Sequence, residues 1–211
     1  MRLIWLQPTS IVALLVALVA IAAPASGSST CSGGRTLVLG ASVRVYSSTT
    51  PHPAGTFAQT SVYACTFARG RPLLLGTTAG QRHVEDFVVA GDSVAFAATS
   101  MGVDTLSSSV EVLDAADDRL LRDLAAAGPS RRPESFTTVA AIVVRAAGQV
   151  GWIATVSAIG QRRARYEVHR AGSSGAALLD SGARIDPRSL RLRGERISWR
   201  DGAGTRSATL S

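Results

Sequence analysis

The 211-residue sequence contains no lysine and no asparagine, and it has only two cysteines and three histidines. Without asparagine there is no acceptor for N-linked glycosylation. Two cysteines do not by themselves make a metal site, and His52, His83 and His169 sit in no HExxH or other close ligand spacing. No Gly-x-Ser-x-Gly elbow exposes a serine nucleophile, and no glycine-rich motif is present to cradle a phosphate. No metal or cofactor is implied. A Ser-His-Asp triad assembled from distant residues stays open, because triads are defined by geometry rather than spacing.

What the sequence does hold is arginine. It supplies the whole basic complement of 22 residues, against 15 acidic ones, for a formal charge of +7. With abundant alanine and glycine, this usage is that of a high-G+C coding bias, so arginine is partly a default choice. The N-terminus places the charge in a compartment. Arg2 is followed by a polar interruption at Gln7 to Ser10, then by the apolar run Ile11 to Ala23 and the small residues Ala23-Pro24-Ala25. That layout predicts a signal peptide over 1–25, cleaved after Ala25, and export to the cell envelope or beyond. The alternative is an uncleaved anchor, the one case in which a membrane would be a partner. The mature chain, 26–211, suits a single domain. Losing Arg2 reduces its charge from +7 to +6. For an exported chain of this sign, anionic surfaces or polymers are expected partners, with no specific nucleic acid. In an oxidising compartment Cys31 and Cys65 permit one intramolecular pairing, so a Cys31–Cys65 disulfide is expected; two free thiols are the alternative.

Four segments align around a small-residue turn: TLVLGASVRV from Thr36, FVVAGDSVAF from Phe87, IVVRAAGQVGW from Ile142 and LRLRGERISW from Leu190. Each is an apolar run, a turn and a run alternating with period two, and the unit recurs about every 50 residues. A second hairpin follows in three copies: VYACTFARGRPLLL from Val62, VEVLDAADDRLLRDL from Val110 and YEVHRAGSSGAALLD from Tyr166. The fourth copy has only one further strand, around Arg206 to Leu210. Each complete repeat therefore reads as a four-stranded antiparallel meander, with repeats at about 31–80, 81–130, 136–183 and 184–211. A helix over Asp114 to Gly128 is the local alternative.

VVAGDSVAFAAT and VEVLDAADDRLL resemble the first and second hairpins of β-propeller blades of the TolB-like and WD40-like kind. The chain departs from that pattern in lacking a Ser-Pro-Asp-Gly turn, a Trp-Asp dipeptide and a Gly-His pair. The resemblance implies an all-β, propeller-like fold with an incomplete last blade. The segment from Thr30 to Arg35 is then a candidate for the missing strand. A two-sheet β-sandwich or an open repeat array is the alternative.

In Val94-Ala95-Phe96-Ala97-Ala98 the alternation sets Val94, Phe96 and Ala98 against two alanines, and Val150, Trp152 and Ala154 oppose Gly151, Ile153 and Thr155. Small residues on one face let a neighbouring sheet approach, so the phrase is structural. Function belongs to one end of the sheets, where the second-to-third loops and the links gather. Arg131 and Arg132 in PSRRPE, Arg162 and Arg163 in GQRRAR, and His52 and His83 fall there, with Arg184, Asp186 and Arg188. Paired arginines suit carboxylate, sulfate or phosphate groups. The leading expectation is a non-enzymatic module that binds an anionic polymer or a protein through this end. A hydrolase or lyase acting in a central channel, with His52, His83, Glu85 and Asp186, is the second, and a purely structural envelope domain the third. The LRLR of the tail reads as a strand with one wet face, or as a charged edge. His169 reads as a half-exposed strand residue at the opposite end.

Overall fold

The computed structural model describes residues 31–51, 58–128, 135–160 and 163–211. Among them the chain is all-β, with antiparallel sheets and no α-helix. The first sheet is a meander of β1 (Arg35–Leu39), β2 (Val43–Thr50), β3 (Gln59–Thr66) and β4 (Pro72–Thr77). The second is β5 (Arg82–Ala90), β6 (Ser93–Met101), β7 (Leu106–Asp114) and β8 (Arg119–Ala125). The third is β9 (Ser135–Val144), β10 (Val150–Ala158), β11 (Arg165–Gly172) and β12 (Gly175–Gly182). A single parallel bridge, Leu106 to Phe136, joins the second and third at one corner. The last sheet has three strands: β13 (Arg191–Arg193), β14 (Arg196–Asp201) and β15 (Gly204–Thr209). Asp114 to Gly128 is thus the end of β7, a tight turn and β8, where β-branched and leucine cross-strand pairs prevail over helix propensity.

Three apolar clusters lie between consecutive sheets. Val43, Val45 and Val62 of the first sheet meet Val94, Phe96 and Ala98 of the second. Ala95, Ala97, Val110 and Val112 on the other face meet Val150, Trp152 and Ala154 of the third. Ile153 and Val168 of the third then meet Ile197, Trp199 and Leu210 of the last. Each inner sheet buries both faces, as period-two alternation with small residues on one side requires. Gly151 shows how close the approach is: a Cβ there would lie 3.2 Å from Ile197 Cδ1 and 3.4 Å from Val143 Cγ2. None of these clusters joins the first sheet to the last.

The first sheet is closed off differently. Cys31 and Cys65 form a disulfide, and with Tyr46 and Tyr63 they make a small cluster on the outer face. Arg35 pairs with Ser47 in the β1–β2 ladder. The described part of the segment proposed to complete the last sheet, Cys31 to Arg35, is therefore committed to the first. Its covalent bond and its ladder outweigh any pairing with β15.

Links and second-to-third loops gather at one end. The Met101 N–H donates to Gln81 O, Thr78 to Thr60 O, Gly202 to Arg184 O and Asp186 to Arg200 O. At this end strands β2 and β6 run to Thr50 and Met101, where polar serines and threonines continue the ladder.

Candidate anion-binding face

His52, Arg131, Arg132 and Arg162 lie outside the described residues. His83, on β5, is half-buried and its Nε2 lies 3.8 Å from Glu85 Oε1, which accepts a hydrogen bond from Thr99 Oγ1 at 3.1 Å. Arg163 is exposed beside the β10–β11 loop, and no ion pair among the described residues involves it. Asp186 pairs with Arg200 at 3.2 Å rather than with His83 or Glu85. The four residues of the hydrolase reading therefore yield one described contact, His83 with Glu85. Among the described residues no group of three or more His, Cys, Asp or Glu side chains is placed to hold a metal ion.

The arginines that do come together lie on the last sheet. Register and alternation divide its side chains cleanly. Leu192, Ile197 and Ala208 align across the strands on the face that packs against the third sheet, and Trp199 shares that face. Three rows align on the opposite face. Arg191, Ser198 and Ser207 form the middle row, and Arg193, Arg196 and Thr209 the next. Arg200 pairs with Thr205 in the remaining row, where Ser189 Oγ accepts from the Arg200 N–H at 2.8 Å. Every row carries at least one guanidinium and one hydroxyl. Successive rows are two residues apart along a strand, about 6.6 Å. The four arginines of these rows are exposed. A groove of about 490 Å³ opens at the link end of this face, lined by Asp186, Arg188, Ser189, Arg191, Arg200 and Thr205.

Asp186, at the groove, is paired with Arg200 of the grid, and the other acids of this region are engaged elsewhere. Asp201 pairs with Arg206 at 2.7 Å, and Glu195 is drawn to Arg145 at 2.8 Å. Asp180 accepts from Trp199 Nε1 at 2.8 Å and pairs with Arg206 at 3.2 Å. Among the described residues no ion pair involves Arg188, Arg191, Arg193 or Arg196. The Arg191 guanidinium is steadied by donating to the carbonyls of Arg188, at 2.9 Å, and Leu190, at 2.7 Å. From Arg184 onward the chain carries seven arginines against three acids, a surplus of +4 out of the chain's +7. The positive field is concentrated at one pole.

His169 departs from its sequence reading. It is buried, at 7% exposure, and stacks on Trp152 with ring centroids 5.0 Å apart. Its Nε2 is 3.0 Å from Glu167 Oε2, which also accepts the Gly128 N–H at 3.1 Å. The alternation on β11 puts His169 on the same face as Glu167, and the large indole opposite it covers the ring. Burial lowers the His169 pKa from its usual 6.5, and the hydrogen bond and charge of Glu167 counter this only in part. A folded state that resists protonation binds fewer protons than the unfolded chain. Stability contributed by neutral His169 is therefore complete above about pH 6.5 and is lost as pH falls through 6.5 toward the lower folded value. Urea denaturation at pH 7.5 and pH 5.5 should show this loss, and His169→Gln should make the difference smaller. An unchanged pH dependence in the variant would remove His169 as its source.

No protein-family model matches the chain, and no curated protein sequence matches it. Arg191, Arg193 and Arg196 were visible in the sequence as residues of a wet strand face or a charged edge. Their union with Arg200, Ser198 and Ser207 depends on cross-strand register, which alternation within one strand does not contain.

Proposed function

We propose that the protein is an exported, non-enzymatic binding module, built as an open array of β-propeller-like blades, whose terminal arginine face takes up an anionic polymer. The observation that carries this reading is the three-row grid on β13 to β15, in which every row pairs guanidinium with hydroxyl. Guanidinium groups give forked, charge-assisted hydrogen bonds to oxyanions, and hydroxyls add donors that accept either orientation. Successive hairpins with both faces buried support the blade reading. The disulfide supports an oxidising compartment, in keeping with the signal peptide expected over 1–25. Arg163 and the sequence positions Arg131, Arg132 and Arg162 are further candidates for the same chemistry.

Binding to a sulfated dextran matrix tests the reading. A contact made by four guanidinium groups should lose roughly three decades of affinity per decade of salt, at about 0.7 per neutralised charge. Arg191→Glu with Arg196→Glu should abolish retention at moderate salt and leave the fold intact, since both side chains are exposed. Retention that persists in high salt, or in the double variant, would overturn it.

A further inference from the structure

The row spacing says more than that the face is basic. We infer that the polymer is a phosphodiester chain with three carbons between successive phosphates, a polyol phosphate, bound in extended form along the strand direction. This rests on the anionic-polymer reading and specifies it. From one row to the next, the strand backbone runs through six bonds between alternate Cα atoms, about 6.6 Å. A phosphodiester bridged by a three-carbon polyol also runs through about six bonds from phosphorus to phosphorus, so extended forms of the two chains keep step. Three rows then meet three consecutive phosphates: Arg191 with Ser198 and Ser207, Arg193 and Arg196 with Thr209, and Arg200 with Thr205, where the phosphate takes the place of Asp186 as the partner of Arg200. The tetrahedral phosphate also suits a row better than a planar carboxylate does. Its two unesterified oxygens can accept a guanidinium fork and a hydroxyl from different directions.

Single-stranded nucleic acid shares the six-bond repeat but relies on a second kind of contact, bases stacked on aromatic rings. The face exposes no aromatic ring, although Trp199 borders the groove. Trp199, the aromatic residue of this sheet, is buried at 3% exposure and faces the third sheet. Hydroxyls occupy the positions between arginines, which fits a ligand whose linker is itself hydroxylated.

The test compares end-labelled glycerol phosphate oligomers of increasing length with poly-glutamate and oligo-dT of matched charge, by fluorescence anisotropy at fixed salt. Affinity for glycerol phosphate should climb steeply up to three phosphates and then level off. It should exceed that for the other two polymers by about tenfold or more. Arg193→Gln with Arg196→Gln should empty one row, costing about tenfold and moving the plateau to two phosphates. Equal binding of poly-glutamate, or affinity that rises without a plateau, would overturn the spacing and leave the anionic-polymer reading standing. Tighter binding of oligo-dT would assign the face to single-stranded nucleic acid and overturn the polyol phosphate. Binding to none of the three, with none to sulfated dextran, would overturn both readings.

Discussion

Replacing Trp152 by alanine should cost about 3–5 kcal/mol of stability, the largest effect expected from any single substitution in this chain. The indole is 1% exposed and lies in the cluster between the second and third sheets. It does three things at once. It fills the space against Ala95, Ala97 and Val110, it donates Nε1–H to Ala126 O at 2.6 Å, and it covers the ring of His169. Alanine would open a cavity, orphan a buried carbonyl in the link leaving the second sheet and uncover an imidazole. Urea denaturation followed by far-ultraviolet circular dichroism measures the loss, and for a chain of this size the midpoint temperature should drop by about 10 °C. Trp152→Phe keeps most of the apolar contact and loses the hydrogen bond, so its cost should be smaller, about 1–2 kcal/mol. A loss below 1 kcal/mol for the alanine variant would mean that the seam between these sheets is held elsewhere.

Removing the disulfide should cost nearly as much. Cys31 and Cys65 close a loop with a sequence separation of 34, which the chain-entropy relation values at about 3–4 kcal/mol. The expected result for Cys31→Ser with Cys65→Ser is that loss in the denaturation curve, together with faster proteolytic cleavage near residues 31–36. The second readout follows from what the bond organises. Arg44 donates to the carbonyls of Cys31 and Gly34 and to Thr36 Oγ1, and its guanidinium lies 4.8 Å from the centre of the Tyr46 ring. Tyr46 in turn stacks on Tyr63 at 5.5 Å. Once the bond is gone, the β1–β2 ladder and these contacts, each worth only about 1 kcal/mol, must help hold the segment over the first sheet. Unchanged stability and unchanged cleavage would show that they suffice.

The sheets were legible in the sequence because their signal is local. Val94, Phe96 and Ala98 sit opposite Ala95 and Ala97 in the chain, and the structure puts the two sets in different clusters. Gly151 was readable as a point of close approach for the same reason, and the two cysteines allowed only one intramolecular bond. Pairings across long separations were not legible. The segment from Cys31 to Arg35 carries no alternation of its own, so only its covalent and ladder partners decide which sheet it joins. His169 looked half-exposed because alternation assigns a face without saying which side chain on the neighbouring strand covers it. The arginine face was hidden in a third way. Arg191 and Arg200 belong to separate strands with a turn between them, and they share a surface only because Arg191 aligns with Ser198 in the ladder, two residues before Arg200. Hydrophobic periodicity fixes one side of that sheet and says nothing about the chemistry that accumulates on the other.

The sequential stacking gives the two ends of the molecule unequal cohesion. A sheet that touches only one neighbour opens without disturbing the rest, so amide hydrogens should exchange soonest at an end. One end is stapled by a covalent bond; the other is a three-stranded sheet held by Ile197, Trp199 and Leu210 and carrying mutually repelling arginines on its far side. Fraying is therefore directional. A polyanion seated on those arginines would neutralise their repulsion and stiffen the one part of the fold most ready to come apart. The surface proposed to take up the ligand is also the sheet that the ligand would hold in place.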